Sequence, residues 1–475
     1  MDSTYDLIVI GAGSTGENVA DRATQGGLSV VIIEDELVGG ECSYWACMPS
    51  KALLRSGQAL RAAEAVPGAA EAVTGHLDVE AVLARRDTFT SNWKDDGQVS
   101  WLDGAGIHLV RGRGRITGER EVTVTTSDGG TRVLTATHAV AVATGSEAAV
   151  PDIEGLRDAH PWTSRDATSV KEIPASLAII GGGVVGCEMA SAFTDLGAKV
   201  TIIARGRLLE GMETFVGDAV VDRLRERGVQ VMLDTQTTLV SRGADGVSIQ
   251  TDTGETVLAV EVLAATGRRA RTDDLGLAVA GLEDGDWIEV DDTMRVPGMD
   301  WLYAVGDVNH RVLLTHQGKY QARAAGDVIA ARAKGEPVED APWGIHVATA
   351  DHVCVPQVVF SEPEAASVGL TSPGAGEAGI NVSVVDTPIG SVAGASLLRD
   401  GYEGTARMVV DEDRGVVVGM TFVGPDVSEL LHAATIAVVG EVPVKRLWHA
   451  VPSYPTVSEV WLRLLEEYGR PGSGS

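Results

Sequence analysis

Apolar and polar positions along the chain fall into a block that occurs twice. Leu7-Ile8-Val9-Ile10 is an unbroken apolar run of the kind a buried parallel strand needs. Glu17 to Gln25 continues as a helix, and Ser29 to Ile33 is a second buried run ending at Glu34. The same strand, helix, strand order returns at Ser176–Ile180, Cys187–Leu196 and Lys199–Ile203. Strands alternating with helices predict an α/β protein with two parallel-sheet, Rossmann-like domains. A further helix is predicted after Pro49, where Lys51-Ala52-Leu53-Leu54 is apolar and helix-forming.

Each first strand is joined to its helix by a glycine-rich loop, Gly11-Ala12-Gly13-Ser14-Thr15-Gly16 and Gly181-Gly182-Gly183-Val184-Val185-Gly186. Glycines at this G-x-G-x-x-G spacing permit a tight turn and let a pyrophosphate approach the helix N-terminus. In the first block Glu34, about 20 positions on, can hold a ribose diol. The second block ends instead in Ala204-Arg205-Gly206-Arg207. Loss of the carboxylate and gain of two guanidiniums suits a 2′-phosphate, which favours NADPH, with NADH as the alternative. Arg205 and Arg207 as solvated surface charges is the other reading of the same residues.

Candidate chemistry sits between the two blocks, in Gly39-Gly40-Glu41-Cys42-Ser43-Tyr44-Trp45-Ala46-Cys47-Met48-Pro49-Ser50-Lys51. A regular helix separates residues five apart by roughly 8.5 Å between Cα atoms, beyond the ~7 Å limit for a disulfide. If Cys42 and Cys47 bond, the backbone between them must depart from helix. A helix starting here would place partial positive charge near Cys47 and favour its thiolate. The spacing alone leaves open two buried thiols that merely lie near each other. Two dinucleotide sites beside a cysteine pair imply a relay from nicotinamide to flavin to disulfide, with FAD in the first site. Cys187 and Cys354 read as buried thiols.

Composition narrows the partners. A chain of 475 residues has room for two to four domains, and 44% hydrophobic and 22% charged residues are ordinary for a globular protein. The net charge of -29 argues against nucleic acid or an anionic membrane surface as partner. Four cysteines do not make a secreted disulfide framework. No signal-type stretch precedes Tyr5, and no apolar run of about 18 residues is present to cross a bilayer. The expected location is the cytoplasm, and no resident metal is expected.

With these motifs the sequence resembles the flavoprotein disulfide reductases of the glutathione reductase, dihydrolipoamide dehydrogenase and mercuric reductase family, nearly end to end. Ala143-Thr144-Gly145 and Ala265-Thr266-Gly267-Arg268 match the segments that close the two nucleotide domains. Ala304-Val305-Gly306-Asp307 resembles the second FAD motif, whose aspartate holds the ribityl and phosphate portion. The run from Val358 to Gly369 looks like the start of the α+β dimerisation domain. The resemblance implies that Cys47 is the flavin-proximal thiolate and Cys42 the interchange thiol that meets the acceptor. Lys51 and Glu188 match an ion pair beside the reactive edge of the flavin, where a cation would stabilise developing negative charge. Thr315-His316 matches a stretch whose backbone lies along the flavin ring. Implied FAD contacts are therefore Gly11, Gly13, Ser14, Gly16, Glu34, Lys51, Thr144, Gly145, Gly306, Asp307, Thr315 and His316. Those for NADPH are Gly181, Gly183, Gly186, Glu188, Arg205, Arg207 and Gly267. By the same template, residues 1–149 and 271–345 bind FAD, 150–270 bind NAD(P), and 346–475 pair two subunits into a homodimer. The Gly/Ser tail after Arg470 reads as disordered.

Two departures from the family stand out. Disulfide-reducing members carry His-Pro-Thr-x-x-Glu near the C-terminus, and here the segment is Tyr454-Pro455-Thr456-Val457-Ser458-Glu459. A phenol, with a reference pKa of about 10 against about 6.5 for imidazole, donates hydrogen bonds at neutral pH but accepts protons poorly. Tyr454 and Glu459 are retained as catalytic candidates, and His449 reads as a surface residue. The small Asn-x-Gly stretch before the second cysteine is replaced by Tyr44-Trp45-Ala46, two aromatics that would either line the acceptor channel or pack into the dimer core. The leading expectation is an NADPH-dependent FAD enzyme passing two electrons through Cys42 and Cys47 to a small disulfide acceptor. Alternatives are a metal-ion or quinone reductase, for which a C-terminal cysteine pair to deliver metal is not seen, and a non-catalytic flavin-binding scaffold.

Overall fold

The structure, a computed structural model, describes residues 3–470. The tail after Arg470 thus lies outside the described residues. The chain forms two compact units, each built from three separate stretches.

The first unit contains residues 1–49, 86–149 and 268–352. Its parallel core runs His108–Arg111, Val30–Glu34, Thr4–Ile10, Thr131–Val142, with Leu302–Ala304 also parallel to the last. Glu121–Thr125 and Arg113–Gly118 extend Thr131–Val142 as an antiparallel ribbon. The apolar runs are continuous because both faces are covered. Leu7, Val9 and Ile32 pack on one side with Val19 and Val328 of the flanking helices, and Ile8, Ile10 and Ile33 on the other with Val124 and Leu277. The first helix, Ser14–Gln25, begins inside the glycine loop, three residues earlier than its apolar pattern indicates. It packs against the long helix Thr315–Lys334.

The second unit contains residues 50–85, 150–267 and 353–475. Gln230–Met232, Lys199–Ile203, Ser176–Ile180 and Glu261–Ala264 form a four-stranded parallel sheet in that order. Leu177, Ile179, Val200 and Ile202 face Phe193 of the helix Val184–Asp195. Ala178, Ile180 and Ile203 face the small antiparallel sheet of Thr237–Gly243, Gly246–Thr251 and Thr256–Ala259. A five-stranded antiparallel sheet follows, Gln357–Val359, Glu364–Gly369, Val416–Gly424, Thr405–Asp411 and Val382–Pro388. Phe422, Met408 and Met420 bury against Leu431, Ala434, Val460 and Leu464 of its helices. These are the Rossmann-like and α+β elements expected from the sequence.

The turn that carries Tyr454 is seated by one small residue. A Cβ on Gly394 would stand 2.0 Å from the Thr456 carbonyl carbon and 2.4 Å from its oxygen, so backbone approaches backbone there. Because neither side is a flexible side chain, Gly394→Ala forces the turn to move. The expected result is a loss of about 1–3 kcal/mol in stability, seen as a lower melting temperature, and unchanged melting would show that the turn yields freely.

Candidate active site

The thiol pair is made possible by a break in the helix. Cys42 lies in the short helix Gly40–Tyr44, and Cys47 is the first residue of the 18-residue helix Cys47–Glu64. Trp45 and Ala46 separate them, their N–H groups both donating to the Glu41 carbonyl at 2.8 and 2.7 Å. The departure from helix required for these sulfurs to meet is therefore present. The second helix starts two residues before Pro49, which falls in its first turn, where a missing N–H costs no intrahelical bond. Cys47 accordingly stands at the positive end of a helix.

Both sulfurs are thiols, not joined in a disulfide, and partly buried. They hydrogen-bond to each other, and that bond is the first cause, ahead of burial, that pushes the Cys42 thiol up. The Thr315 hydroxyl and the Lys319 ammonium act in the opposite direction on Cys42. Thr315 also sets its Oγ1 3.2 Å from Cys47 Sγ. Tyr44 does not face an acceptor path. It is 1% exposed in its own unit, with its hydroxyl donating to the Val38 carbonyl at 3.0 Å, and Trp45 packs on its edge at 5.6 Å between centroids.

The first glycine loop fits a dinucleotide. A Cβ on Gly16 would lie 1.9 Å from the Gly11 carbonyl oxygen, whereas one on Gly13 would meet only Gly40 Cα at 3.9 Å, leaving that face open to a pyrophosphate. Thr144 Oγ1 is buried with no hydrogen-bond partner among the described residues, and Gly145 faces open space. Glu34 accepts N–H bonds from Ala12 at 2.7 Å and Glu36 at 2.9 Å, one on each oxygen. Each oxygen keeps a lone pair for a ribose hydroxyl. Asp35, Glu36, Arg111, Gly112 and Arg113 line an adjoining cavity of about 440 Å³. Asp307 follows Gly306 and accepts from Ser146 Oγ at 2.5 Å, while Arg268 donates to the same Ser146 Oγ at 2.6 Å. His316 is exposed. Ser146 and Arg268 were not singled out in the sequence, although Arg268 closes the Ala-Thr-Gly-Arg run.

The second loop repeats the geometry, with a Gly186 Cβ 2.2 Å from the Gly181 oxygen and open space at Gly183 and Gly267. The two arginines behave differently. Arg207 is held by Asp218 at 2.6 Å and the Thr214 carbonyl at 3.2 Å, and Arg205 is exposed.

Lys51 and Glu188 come together within the second unit. Lys51 Nζ is 2.8 Å from Glu188 Oε2, Glu188 is 3% exposed, and its other oxygen accepts the Phe360 N–H at 3.1 Å. The Phe360 ring lies 5.0 Å from the ammonium. Further along the same helix Arg61 meets Asp195 and reaches Glu362 at 3.2 Å, and Arg227 meets Asp195 at 2.5 Å. Gly57 allows this approach, since a Cβ there would fall 2.0 Å from Asp195 Oδ2. Tyr454 is 77% exposed, Glu459 is 7% exposed, and His449 lies in the exposed turn after the helix Val444–Leu447.

Residues 5–326 match the family described as pyridine nucleotide-disulphide oxidoreductase, and residues 355–464 match its dimerisation domain. The dihydrolipoyl dehydrogenase of Chlamydia muridarum is 31% identical over 469 residues, covering 97% of this chain and 96% of that protein. The mercuric reductase of Streptomyces lividans is 32% identical over 464 residues, covering 96% and 94%. Among solved structures, the Cu(II) complex of the HOCl-induced flavoprotein disulfide reductase RclA from Escherichia coli superposes with a TM-score of 0.84, at 23% identity, over 98% of this chain and 99% of that one. The chain belongs to the pyridine nucleotide-disulphide oxidoreductase family and is an FAD-dependent, NAD(P)H-using oxidoreductase that carries the family's dimerisation domain. No helix among the described residues is long and apolar enough to cross a membrane, and none of their His, Cys, Asp and Glu side chains group to hold a metal ion.

The Lys51 pair yields a direct test. Lys51→Met leaves the Glu188 carboxylate buried beside one N–H donor and is expected to cost about 1–3 kcal/mol in thermal unfolding, discounted for the partial exposure of the lysine. Adding Glu188→Gln should recover part of that loss, and a double variant no more stable than the single one would show that the two side chains are not energetically coupled.

Proposed function

We propose that the protein passes two electrons from NADPH to a low-molecular-weight disulfide, with Cys42 and Cys47 as the dithiol that meets the acceptor. The observation that supports this is the break at Trp45-Ala46, which sets the two thiols face to face with the Thr315 hydroxyl on both. Bound FAD supplies the two-electron carrier between nicotinamide and disulfide. Gly13, Thr144, Gly145 and Glu34 hold it on the side of the first loop, and Asp307 on the side of the second motif. The Lys51–Glu188 pair provides the fixed positive charge that the family places at the electron-entry side.

In the reduced pair the Cys42 thiolate attacks one sulfur of the acceptor and forms a mixed disulfide, and the other acceptor sulfur leaves as a thiolate. Cys47 thiolate then attacks the Cys42 sulfur, re-forming the Cys42–Cys47 bond and expelling the second acceptor thiolate. Both leaving thiolates take a proton from solvent. The helix N-terminus at Cys47 and the Thr315 hydroxyl keep Cys47 ready as the second nucleophile. Tyr454 serves as a hydrogen-bond donor at the acceptor in a homodimer paired through residues 346–475, with Glu459 supporting its turn. Residues 1–149 and 271–345 serve FAD and 150–270 serve NADPH. The cytoplasm suits a dithiol that must be kept reducible.

Cys42→Ser in the FAD-loaded enzyme should abolish reduction of a small disulfide such as lipoamide or glutathione disulfide, while flavin reduction by NADPH persists. Retention of disulfide turnover would sink the dithiol mechanism. Nicotinamide choice rests on Arg205, the guanidinium not captured by Asp218. Arg205→Glu is expected to move the ratio of kcat/KM for NADPH over NADH down by about tenfold or more, the scale of one charge-assisted bond. An unchanged ratio would place the 2′-phosphate contact elsewhere.

A further inference from the structure

Asp307, the residue proposed to hold FAD on the side of the second motif, opens one turn of 3-10 helix, Asp307–Asn309. Gly306 enters that turn at φ 82° and ψ -154°, a conformation that is essentially glycine's alone. So short a turn has little strength of its own, and its bracing comes from one buried amide. Gln321, fully buried on the helix Thr315–Lys334, accepts at Oε1 from the Gly306 N–H at 2.9 Å and from Asn309 Nδ2 at 2.9 Å. Both ends of the turn therefore meet the same oxygen. With Oε1 committed to two donors, the Gln321 NH2 must face an acceptor, because exchanging the amide oxygen and nitrogen would set donor against donor.

That acceptor is Asp351, in the short helix Ala350–Val353, with a side chain 1% exposed. Its Oδ2 accepts from Gln321 Nε2 at 2.8 Å and stands 3.1 Å from Arg311 Nε, while Oδ1 accepts from Gln317 Nε2 at 3.0 Å. Arg311 closes the ring. Its backbone N–H donates to Asn309 Oδ1 at 3.0 Å, and its Nη1 to the Asp291 carbonyl at 3.1 Å. A buried carboxylate is tolerated here because three donors replace the water it gives up. All of these residues belong to the first unit, so the relay and the turn it braces form one body.

We propose that Asp351 is a positioning residue for FAD, orienting Gln321 so that the Gly306–Asn309 turn presents Asp307 to the cofactor. This rests on Asp307 being an FAD contact. The Asp307 carboxylate is fixed on its other side by Ser146 Oγ at 2.5 Å, so the relay has only to hold the backbone of the turn. Without Asp351 the Gln321 NH2 and the Arg311 Nε are left buried and short of an acceptor. Rotation of the Gln321 amide then withdraws Oε1 from Gly306, and the turn loosens.

The test dilutes FAD-loaded enzyme into cofactor-free buffer and follows release by the fluorescence of free flavin. Asp351→Ala should speed release by about tenfold, the scale of one bond to a charged group. Asp351→Asn keeps an oxygen for Gln321 and should recover most of the native rate. Gln321→Leu should match Asp351→Ala, and the double variant should release no faster than either single one, since both act along one path. If Asp351→Ala yields no folded protein, Gln321→Leu carries the same test. Native release from these variants, even with a lowered melting temperature, assigns Asp351 to the core alone and overturns the proposal. A double variant whose effects add also overturns it. Failure of the Asp307 reading is seen separately, as native FAD release from Asp307→Ala.

Discussion

Cys42 and Cys47 can face each other because the helix carrying Cys42 stops at Tyr44 and a new one begins at Cys47. Continuous helix over these positions would hold the Cα atoms roughly 8.5 Å apart and turn the side chains away from each other. The stop is secured from outside the segment. The Tyr44 hydroxyl is bound to the Val38 carbonyl, and the Val38 N–H donates at 2.8 Å to the Asp95 carboxylate, itself paired with Arg111. The aromatic replacing the family's small residue is therefore a brace inside its own unit, and the break it maintains lets Thr315 reach both sulfurs.

Buried charge is handled in two ways. Glu188 is buried and Asp195 half-buried, Glu188 being met by Lys51 and a backbone N–H and Asp195 by Arg61 and Arg227. Such groups are stable because desolvation is offset by pairing and hydrogen bonds. They hold the helices Cys47–Glu64 and Val184–Asp195 against each other at two points, with Gly57 between. Glu17 lacks such a partner at Oε1, and its proton affinity rises accordingly. A carboxyl left in that state changes charge near neutral pH, which a fully paired one does not.

The two nucleotide units share one backbone solution and differ at its edge. In both, the third glycine packs on the carbonyl of the first and the second faces open space. These contacts serve any dinucleotide, since they address pyrophosphate. The sequences differ at the end of the next strand, Glu34 in one unit and Ala204-Arg205-Gly206-Arg207 in the other.

By itself the sequence determined the two strand–loop–helix units, the cysteine pair and the need for a helix break, because each is carried by local spacing and by what glycine alone tolerates. Only the tertiary structure decided that Arg207 is taken by Asp218, that Tyr44 turns inward, and that Thr315 reaches both sulfurs. Thr315 lies far along the chain from Cys42 and Cys47, and no local period relates it to them. Their contact arises from the packing of distant segments.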